Sequence, residues 1–285
     1  MRLNIDLHNH SINSMDGEFT VHEMVSAAAG KHVDVFAVTD HCEVNQWEEL
    51  HLSETVPASF LQIEAEKPLT SLCLLAGVEL GQPLQNPERS RWVLNRFRWD
   101  FVIGSLHNTS GDPDFYFMDF AAMSDGEIHR ALKKYYSELL EMAEWGNFDT
   151  LAHITYPYRY LNAARAKREI QICAEDFDED AAAVMKKLIE KQIALELNGS
   201  SITRTAEDRE LNIRYFKMYR ELGGKLVTTG SDAHSPDRIA AGIPEAYGIL
   251  RDAGFDSVFY YKERKAVRVA LGREENQENQ AELRL

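Results

Sequence analysis

The chain has 285 residues, of which 31 are Lys or Arg and 46 are Asp or Glu, giving a formal net charge of −15 at pH 7. This charge repels extended nucleic acid and anionic membranes, and no apolar run is long enough to span a bilayer. Three cysteines without a CxxC spacing argue against a disulfide framework. Because the N-terminus resembles a strand and not an export signal, we expect a cytoplasmic protein.

Short β-rich apolar runs alternate along the chain with longer segments of helical periodicity, the pattern of parallel βα units. The predicted strands are Leu3–Leu7, Val33–Thr39, Leu72–Val78, Phe101–Leu106, Thr150–His153, Ala194–Asn198 and Lys225–Thr229. The predicted helices are Val21–Lys31, Ala58–Ala65, Asp125–Trp145, Asp178–Lys191, Arg209–Leu222 and Ile243–Ala253. Two stretches, Leu50–Pro57 and Asn108–Phe120, are predicted as long loops at one end of this array.

The architecture predicted from these elements is a closed β/α barrel. Polar residues follow every predicted strand, and the catalytic groups of such barrels gather at the carboxyl ends of the strands. An open doubly wound sheet usually carries a glycine-rich phosphate turn after its first strand, where this sequence has DLHNHSINSMDGE. No repeat or low-complexity linker divides the chain, so we assign one domain to residues 1–272 and a polar tail to residues 273–285.

Residues of metal-ligand type stand at the ends of most predicted strands. These strand ends are His8-Asn9-His10, Thr39-Asp40-His41, Gly77-Val78-Glu79, Ser105-Leu106-His107, Ala152-His153 and Ser231-Asp232-Ala233-His234. Alternate residues of an extended segment point to the same side, so His8 and His10, or Asp232 and His234, can bind one metal together. Imidazole with carboxylate suits Zn, Mn or Fe, whereas Mg prefers oxygen.

Other residues of this type carry weaker signals. Four histidines away from the strand ends are interpreted as solvated side chains, namely His22, His32, His51 and His129. Cys42 follows His41 on the opposite face of an extended strand, which favours a buried apolar role. Asp16 is ambiguous on spacing alone, because Asp16-Gly17 is equally a turn signal.

Taken in order, these motifs resemble those of the polymerase and histidinol phosphatase (PHP) family, which shares HxH, TDH, GVE, SxH and SDAH-type motifs. The resemblance covers about Met1 to Gly272, and five separated motifs agree in order and in strand context. The length and the DLHNHS…DG opening are similar to the stand-alone histidinol-phosphatase branch. The resemblance implies a distorted, TIM-barrel-like (β/α)7 barrel of seven strands with three divalent metals at its mouth.

The family motifs also imply a ligand set for each metal. The implied sets are His8, His10, Glu79 and Asp232 for the first metal, Glu79, His107 and His153 for the second, and Asp16, His41 and His234 for the third. Asp6 and Asp40 then resemble carboxylates that orient neighbouring imidazoles, with an ordinary strand or turn role as the alternative.

The activity that the resemblance implies is hydrolysis of a small phosphate monoester by a metal-activated water, with L-histidinol phosphate of histidine biosynthesis as the first candidate. Three divalent cations and three carboxylates leave a charge of about +3, which suits a phosphate dianion. Glu79, Asp232 and His234 would serve the reacting centre. Arg159 and Arg204, each shortly after a strand end, are candidate phosphate clamps, with a surface role equally open for both.

Three alternatives stay open. In the first alternative, the substrate is a nucleotide or another small phosphoester. The segment from Asn108 to Phe117 departs from the Phe-containing stretch typical of histidinol phosphatases, which leaves the substrate open. An amidohydrolase-type enzyme also opens with HxH, but the TDH and GVE motifs and the lack of a bridging lysine argue against it. A non-catalytic metal-binding module would be expected to have lost ligands, whereas every position is filled. The sequence predicts no oligomeric state.

Overall fold

The computed structural model describes residues 3–272, in which parallel strands are surrounded by helices. The strands are β1 (Ile5–Asp6), β2 (Val35–Val38), β3 (His41–Glu43), β4 (Cys73–Gly81), β5 (Phe101–Ser105), β6 (Thr150–Leu151), β7 (Ala194–Asn198), β8 (Val227–Gly230), β9 (Ser257–Lys262) and β10 (Lys265–Ala270). The helices are α1 (Val21–Gly30), α2 (Leu52–Glu66), α3 (Pro87–Arg96), α4 (Asp125–Trp145), α5 (Tyr156–Arg165), α6 (Asp178–Lys191), α7 (Gly199–Arg204), α8 (Ala206–Glu221) and α9 (Ile243–Asp252).

The parallel sheet runs in the order β1-β2-β4-β5-β6-β7-β8, with β3 paired to the second half of β4. Strands β2 and β3 are therefore two halves of one barrel position. Hydrogen bonds also join the first strand to the last, because the amide of Leu7 donates to the carbonyl of Thr229 at 3.0 Å. The predicted seven-stranded barrel is confirmed.

The interior is built by strands that are apolar on both faces and by the inner faces of the helices. Every residue of β2 and β5 is buried, as expected for parallel strands covered by helices. Helix α4 shows how the sequence sets a boundary. Ser124 and Glu127 form a capping box at its start, and Gly146, with φ of 72°, ends it in the left-handed conformation.

The structure departs from the predicted elements in three ways. The predicted loop Leu50–Pro57 is wrong, because helix α2 already begins at Leu52 and includes Pro57. Proline in the second turn removes only one helical hydrogen bond, while Leu52, Val56 and Ile63 bury the inner face of α2. Helices α3, α5 and α7 were not predicted. Neither was the antiparallel hairpin of β9 and β10.

The hairpin lies at the end of the barrel opposite the strand carboxyl ends. The amides of Glu263 and Arg264 donate to Asp100, the residue just before β5, and Tyr261 stacks on Phe101 at 5.5 Å. No helix within residues 3–272 is both long enough and apolar enough to cross a membrane. The predicted tail, 273–285, lies outside the described residues, so the domain assignment stays a prediction.

Candidate metal centre

The carboxyl ends of the strands bring together all nine residues predicted as metal ligands. They are His8 and His10 after β1, Asp16 on the following loop, His41 on β3, Glu79 on β4, His107 after β5, His153 after β6, and Asp232 and His234 after β8. Most of these side chains are buried, whereas Asp16 and His234 keep 49% and 32% of their surface exposed. The nine residues are called the metal centre below.

One group of the metal centre surrounds the carboxylate oxygens of Glu79 and Asp232. The Nε2 atom of His8 lies 3.3 Å from Glu79 Oε2 and 3.6 Å from Asp232 Oδ1. The Nε2 atom of His10 lies 3.7 Å and 3.4 Å from the same two oxygens. Ligand atoms about 2.1 Å from one cation are separated by about 3.0 to 3.4 Å, so these four side chains fit a shared metal.

A second group meets the other oxygen of Glu79. The Nε2 atoms of His107 and His153 lie 3.3 Å and 3.1 Å from Glu79 Oε1, and 3.3 Å from each other. Glu79 thus presents Oε2 to the first group and Oε1 to the second. This is the arrangement expected of a carboxylate that bridges two metals.

The third group is nearest to solvent. Asp16 Oδ2 lies 3.0 Å from His234 Nε2, and Asp16 Oδ1 lies 3.7 Å from His41 Nε2. The ring of His10 stacks between His41 and His234, with both centroid distances 4.2 Å. His10 therefore neighbours the first and third groups, which the family motifs alone did not indicate.

Several buried polar atoms of the metal centre have no hydrogen-bond partner. They include the Nε2 atoms of His8, His10 and His234, and Oε2 of Glu79. An unpaired buried polar group is costly and needs a physical explanation. Because these atoms converge with ligand spacing and combine nitrogen with carboxylate oxygen, they fit divalent metals of the Zn, Mn and Fe type.

Without metal, the groups of the centre hold their charges through one another. Burial raises the pKa of Glu79, but the imidazoles of His41 and His8 outweigh burial and keep this pKa well below its usual range. Burial lowers the pKa of His107, but the carboxylates of Glu43 and Glu79 raise it by more, to about 10. A metal binds neutral imidazole, so metal loading must displace protons from this cluster.

The backbone brings Asp232 into the site in a strained conformation. Its φ of 58° lies in the left-handed region, which non-glycine residues rarely adopt. The adjacent loop is fixed by Asp6, whose carboxylate accepts hydrogen bonds from the backbone and hydroxyl of Ser231 and from the amide of Ala240. Asp6 thus holds the loop that carries Asp232, which fits the ordinary structural role that the sequence left open beside the orientation of an imidazole.

Asp40 is connected to the histidines of the metal centre by hydrogen bonds through serine hydroxyls. Its carboxylate accepts hydrogen bonds from the hydroxyls of Ser11, Ser14 and Ser59. The Ser14 hydroxyl also lies 3.1 Å from His10 Nδ1. Asp40 therefore orients an imidazole only indirectly.

Two buried carboxylates that we did not predict contact the outer nitrogens of the cluster histidines. Glu196 Oε1 lies 2.7 Å from His8 Nδ1, and Glu43 Oε1 lies 3.0 Å from His107 Nδ1 and 3.2 Å from His41 Nδ1. Such carboxylates fix the ring orientation and tautomer of a metal-ligating histidine. Both residues carried a signal: Glu43 lies two residues after His41, and Glu196 is the one charged residue of strand β7.

The two predicted arginines occupy different environments. Arg159, on α5, is buried, and its guanidinium contacts Asp232 Oδ2 at 3.4 Å, Ser201 Oγ at 2.8 Å and Asn198 Oδ1 at 3.1 Å. Arg204 is exposed at the end of α7. The structure thus brings Arg159 to the metal centre and leaves Arg204 at its periphery.

The residues interpreted as outside the site lie apart from the metal centre. His22, His32 and His51 are exposed, and His129 is partly buried against the ring of Phe177. Cys42 is fully buried in the core, where burial raises the pKa of its thiol. All three cysteines lie within the described residues and are free thiols.

Comparison with known proteins identifies the family. The PHP domain model matches residues 6–200. The chain is 24% identical over 257 residues to a probable histidinol-phosphatase of Clostridium acetobutylicum, covering 90% of this chain and 96% of that protein. It is 27% identical over 264 residues to a probable histidinol-phosphatase of Thermotoga maritima, covering 88% and 93%.

A solved structure shares the fold. It is histidinol phosphate phosphatase of Lactococcus lactis, complexed with zinc, L-histidinol and phosphate; it matches with a TM-score of 0.77 and 21% identity over 94% of this chain and 100% of that chain. The PHP domain match covers more than half of the sequence, although Asp232 and His234 lie beyond its last residue. The chain therefore belongs to the PHP domain family and is a metal-dependent, histidinol-phosphatase-like phosphatase.

Proposed function

We propose that the protein hydrolyses L-histidinol phosphate to L-histidinol and phosphate, a step of histidine biosynthesis in the cytoplasm. The observation that carries the chemistry is the convergence of unpaired Nε2 atoms of His8, His10 and His234 with Oε2 of Glu79. The substrate is supported by relatives named probable histidinol-phosphatases that align along nearly their whole length.

We further propose that three divalent cations bind, one to each group of the metal centre. Zinc is the first candidate, because the Lactococcus lactis phosphatase was solved with zinc, and Mn and Fe suit the same donor atoms. When bound, the cations supply the positive charge that activates water at neutral pH and neutralises the phosphate oxygens.

The protein side chains would prepare this chemistry. Glu79 would hold two neighbouring cations through its two oxygens, while Asp232 and His234 would bind cations from the last strand. Glu43 and Glu196 would keep the imidazoles of His107 and His8 in the tautomer that leaves Nε2 free to bind. Burial of most of the cluster would lower the local dielectric constant and so strengthen the charge interactions inside it.

Of the two candidate arginines, we propose Arg159 as the phosphate ligand. Its guanidinium lies beside Asp232, and its planar fork can donate two hydrogen bonds to a phosphate. Arg159→Ala is expected to raise KM by about 10- to 100-fold, the loss of charge-assisted hydrogen bonds. Steady-state kinetics of Arg159→Ala, of Arg204→Ala and of Arg91→Ala, an exposed arginine on α3, would measure this.

An unchanged KM in Arg159→Ala, at unchanged metal content, would exclude Arg159 from phosphate binding. A larger KM increase in Arg204→Ala would transfer the role to the exposed arginine. Metal analysis of each variant is needed because Arg159 contacts a predicted ligand, Asp232.

The proposed activity is tested by phosphate release from L-histidinol phosphate with protein loaded separately with Zn, Mn and Fe. A nucleoside monophosphate and 4-nitrophenyl phosphate are run alongside as competing substrates. We expect kcat/KM for L-histidinol phosphate of about 10⁴ M⁻¹s⁻¹ or more, well above the other two. Turnover of the nucleotide alone would replace the proposed substrate, and turnover of none would contradict the phosphatase activity.

A further inference from the structure

A buried glutamine, Gln82, lies behind the metal centre at the carboxyl end of β4, the strand that carries Glu79. Its side chain is 1% exposed. Its φ of 47° lies in the left-handed region, where a non-glycine residue costs backbone strain. Glycine would adopt the same backbone without that strain, so the contacts of the Gln82 side chain must offset the cost.

The side-chain nitrogen of Gln82 contacts the carboxylate that supports two histidines of the metal centre. Gln82 Nε2 donates a hydrogen bond to Oε2 of Glu43. The other oxygen, Glu43 Oε1, lies 3.0 Å from His107 Nδ1 and 3.2 Å from His41 Nδ1. The two oxygens of Glu43 therefore have separate partners, and donation to Oε2 fixes the rotation of the carboxylate with Oε1 facing both imidazoles.

The side-chain oxygen of Gln82 holds the backbone of one of these histidines. Gln82 Oε1 accepts a hydrogen bond from the amide of His107 at 3.0 Å. One side chain thus contacts both the backbone of His107 and the carboxylate behind its ring. A displacement of Gln82 would therefore disturb His107 at two points.

Two asparagines hold the Gln82 amide in this orientation. Gln82 Nε2 donates to Asn108 Oδ1 at 2.8 Å and lies 3.3 Å from Asn45 Oδ1, and the Asn45 amide donates to Asn108 Oδ1 at 3.1 Å. A flipped Gln82 amide would turn its oxygen toward the Glu43 carboxylate and its nitrogen toward the amide of His107. The partners of Gln82 therefore fix which of its two atoms faces Glu43.

The residue before Gln82 provides the space that Glu43 occupies. Gly81 pairs with Glu43 in the register of β3 and β4. A Cβ atom at position 81 would lie 2.6 Å from Cδ and Oε1 of Glu43, closer than such atoms approach one another. Gly81 therefore admits the carboxylate, and Gln82 sets its orientation.

We infer that Gln82 is a positioning residue that acts through Glu43 and sets the metal affinity of the second and third groups, which contain His107 and His41. The inference rests on the proposed binding of divalent cations and does not depend on the proposed substrate. The first group has separate support, because Glu196 Oε1 lies 2.7 Å from His8 Nδ1.

The test compares two glutamines that share a backbone conformation. Gln82→Glu keeps the side-chain size but sets a second carboxylate against Glu43, and Gln82→Gly removes the side chain and suits the left-handed backbone. Gln192 is the matched control, because its φ of 57° is also left-handed but it is exposed at the end of α6. We expect both Gln82 variants to weaken zinc binding, measured by competition with a chelator, about 10- to 100-fold, and the same changes at Gln192 to stay within about twofold.

Thermal melting of the metal-free variants separates positioning from a structural role. Loss of stability in the Gln82 variants with unchanged zinc affinity would overturn the inference. So would equal losses of zinc affinity in the Gln82 and Gln192 variants.

A second measurement, on metal-free protein, separates this inference from the proposed metal binding. The imidazole nitrogen chemical shifts report the tautomer of each histidine. We expect both Gln82 variants to change the shifts of His107 and His41 and to leave those of His8, which Glu196 supports. If the wild-type protein binds no zinc but these shifts change, the proposed metal binding fails and the positioning of the two histidines stands; unchanged shifts of His107 and His41 overturn the inference.

Discussion

The metal centre adjoins a row of aromatic side chains, called the aromatic rim, but the fold constrains the two regions differently. The rim consists of Tyr156 and Tyr160 on α5 and Tyr116 and Phe117 on the loop after β5. Histidines of the centre are buried and fixed by carboxylates, as His8 is by Glu196 at 2.7 Å. The outer rim is a loop whose aromatic side chains, Tyr116 and Phe117, are mostly exposed. The difference teaches that the metal centre is held rigidly by elements of the barrel itself, whereas the exposed side chains beside it can change without disturbing the barrel.

The largest expected effect lies at Glu79, where the first and second groups of the metal centre meet. Glu79→Gln should reduce kcat by about 10³-fold or more, because an amide cannot bridge two cations as a carboxylate does. Metal analysis should show the loss of about one or two metals per chain relative to wild type. Glu88→Gln, on the exposed face of α3, is the control. Full activity and metal content in Glu79→Gln would contradict the bridging role.

An intermediate effect is expected at a carboxylate that touches the ligands from outside. Glu43→Gln should reduce metal affinity or activity by about 10- to 100-fold, because Glu43 orients both His107 and His41. Glu66→Gln is a matched control. Glu66 also contacts a histidine, His22, at 3.0 Å, but the His22 side chain is 69% exposed and lies outside the metal centre. Metal dissociation constants measured for both variants test whether Glu43 supports metal binding and Glu66 does not. Equal effects of the two changes would remove the distinction between centre and surface.

The smallest effect is expected at the outer end of the aromatic rim. Phe117→Ser should change the melting temperature by no more than about 1–2 °C, because an exposed ring contributes little to burial. It should change kcat/KM for 4-nitrophenyl phosphate by less than about twofold. A large loss of stability in calorimetric melting would show that the rim, like the centre, is a structural part of the barrel.

Eight of the nine residues of the metal centre were accessible to sequence analysis because they stand at the ends of predicted strands, whereas Asp16 was indicated only by the family motifs. In a parallel barrel the strand order and direction bring every strand end to one face, so His8 and His153 meet although 145 residues separate them. The carboxylates behind them were missed. Their roles depend on sheet register, which aligns β3 with Glu79 and β7 with β8, and no local pattern encodes that register.

The remaining failures have local causes. The segment Leu50–Pro57 was predicted as a loop, but it forms the start of α2, where packing of Leu52 and Val56 outweighs the one hydrogen bond that Pro57 removes. The hairpin of β9 and β10 turns at Glu263 and Arg264, both with positive φ and neither of the residue types that usually mark such a turn. The hydrogen bond from the Tyr156 hydroxyl to Asp114 joins α5 to the loop after β5, and α5 was itself not predicted.

The hydrogen bonds between the first and last barrel strands have a consequence for biosynthesis. The amide of Asp232 donates to the carbonyl of His8 at 2.8 Å, and Asp6 holds the loop that carries Asp232. A nascent chain makes its N-terminal strand first, so His8 and His10 must wait for the segment that contains Asp232 and His234 before the site can form. The complete metal centre can therefore form only after β8 has been synthesised, and a chain that stops before β8 lacks two of its nine residues, Asp232 and His234.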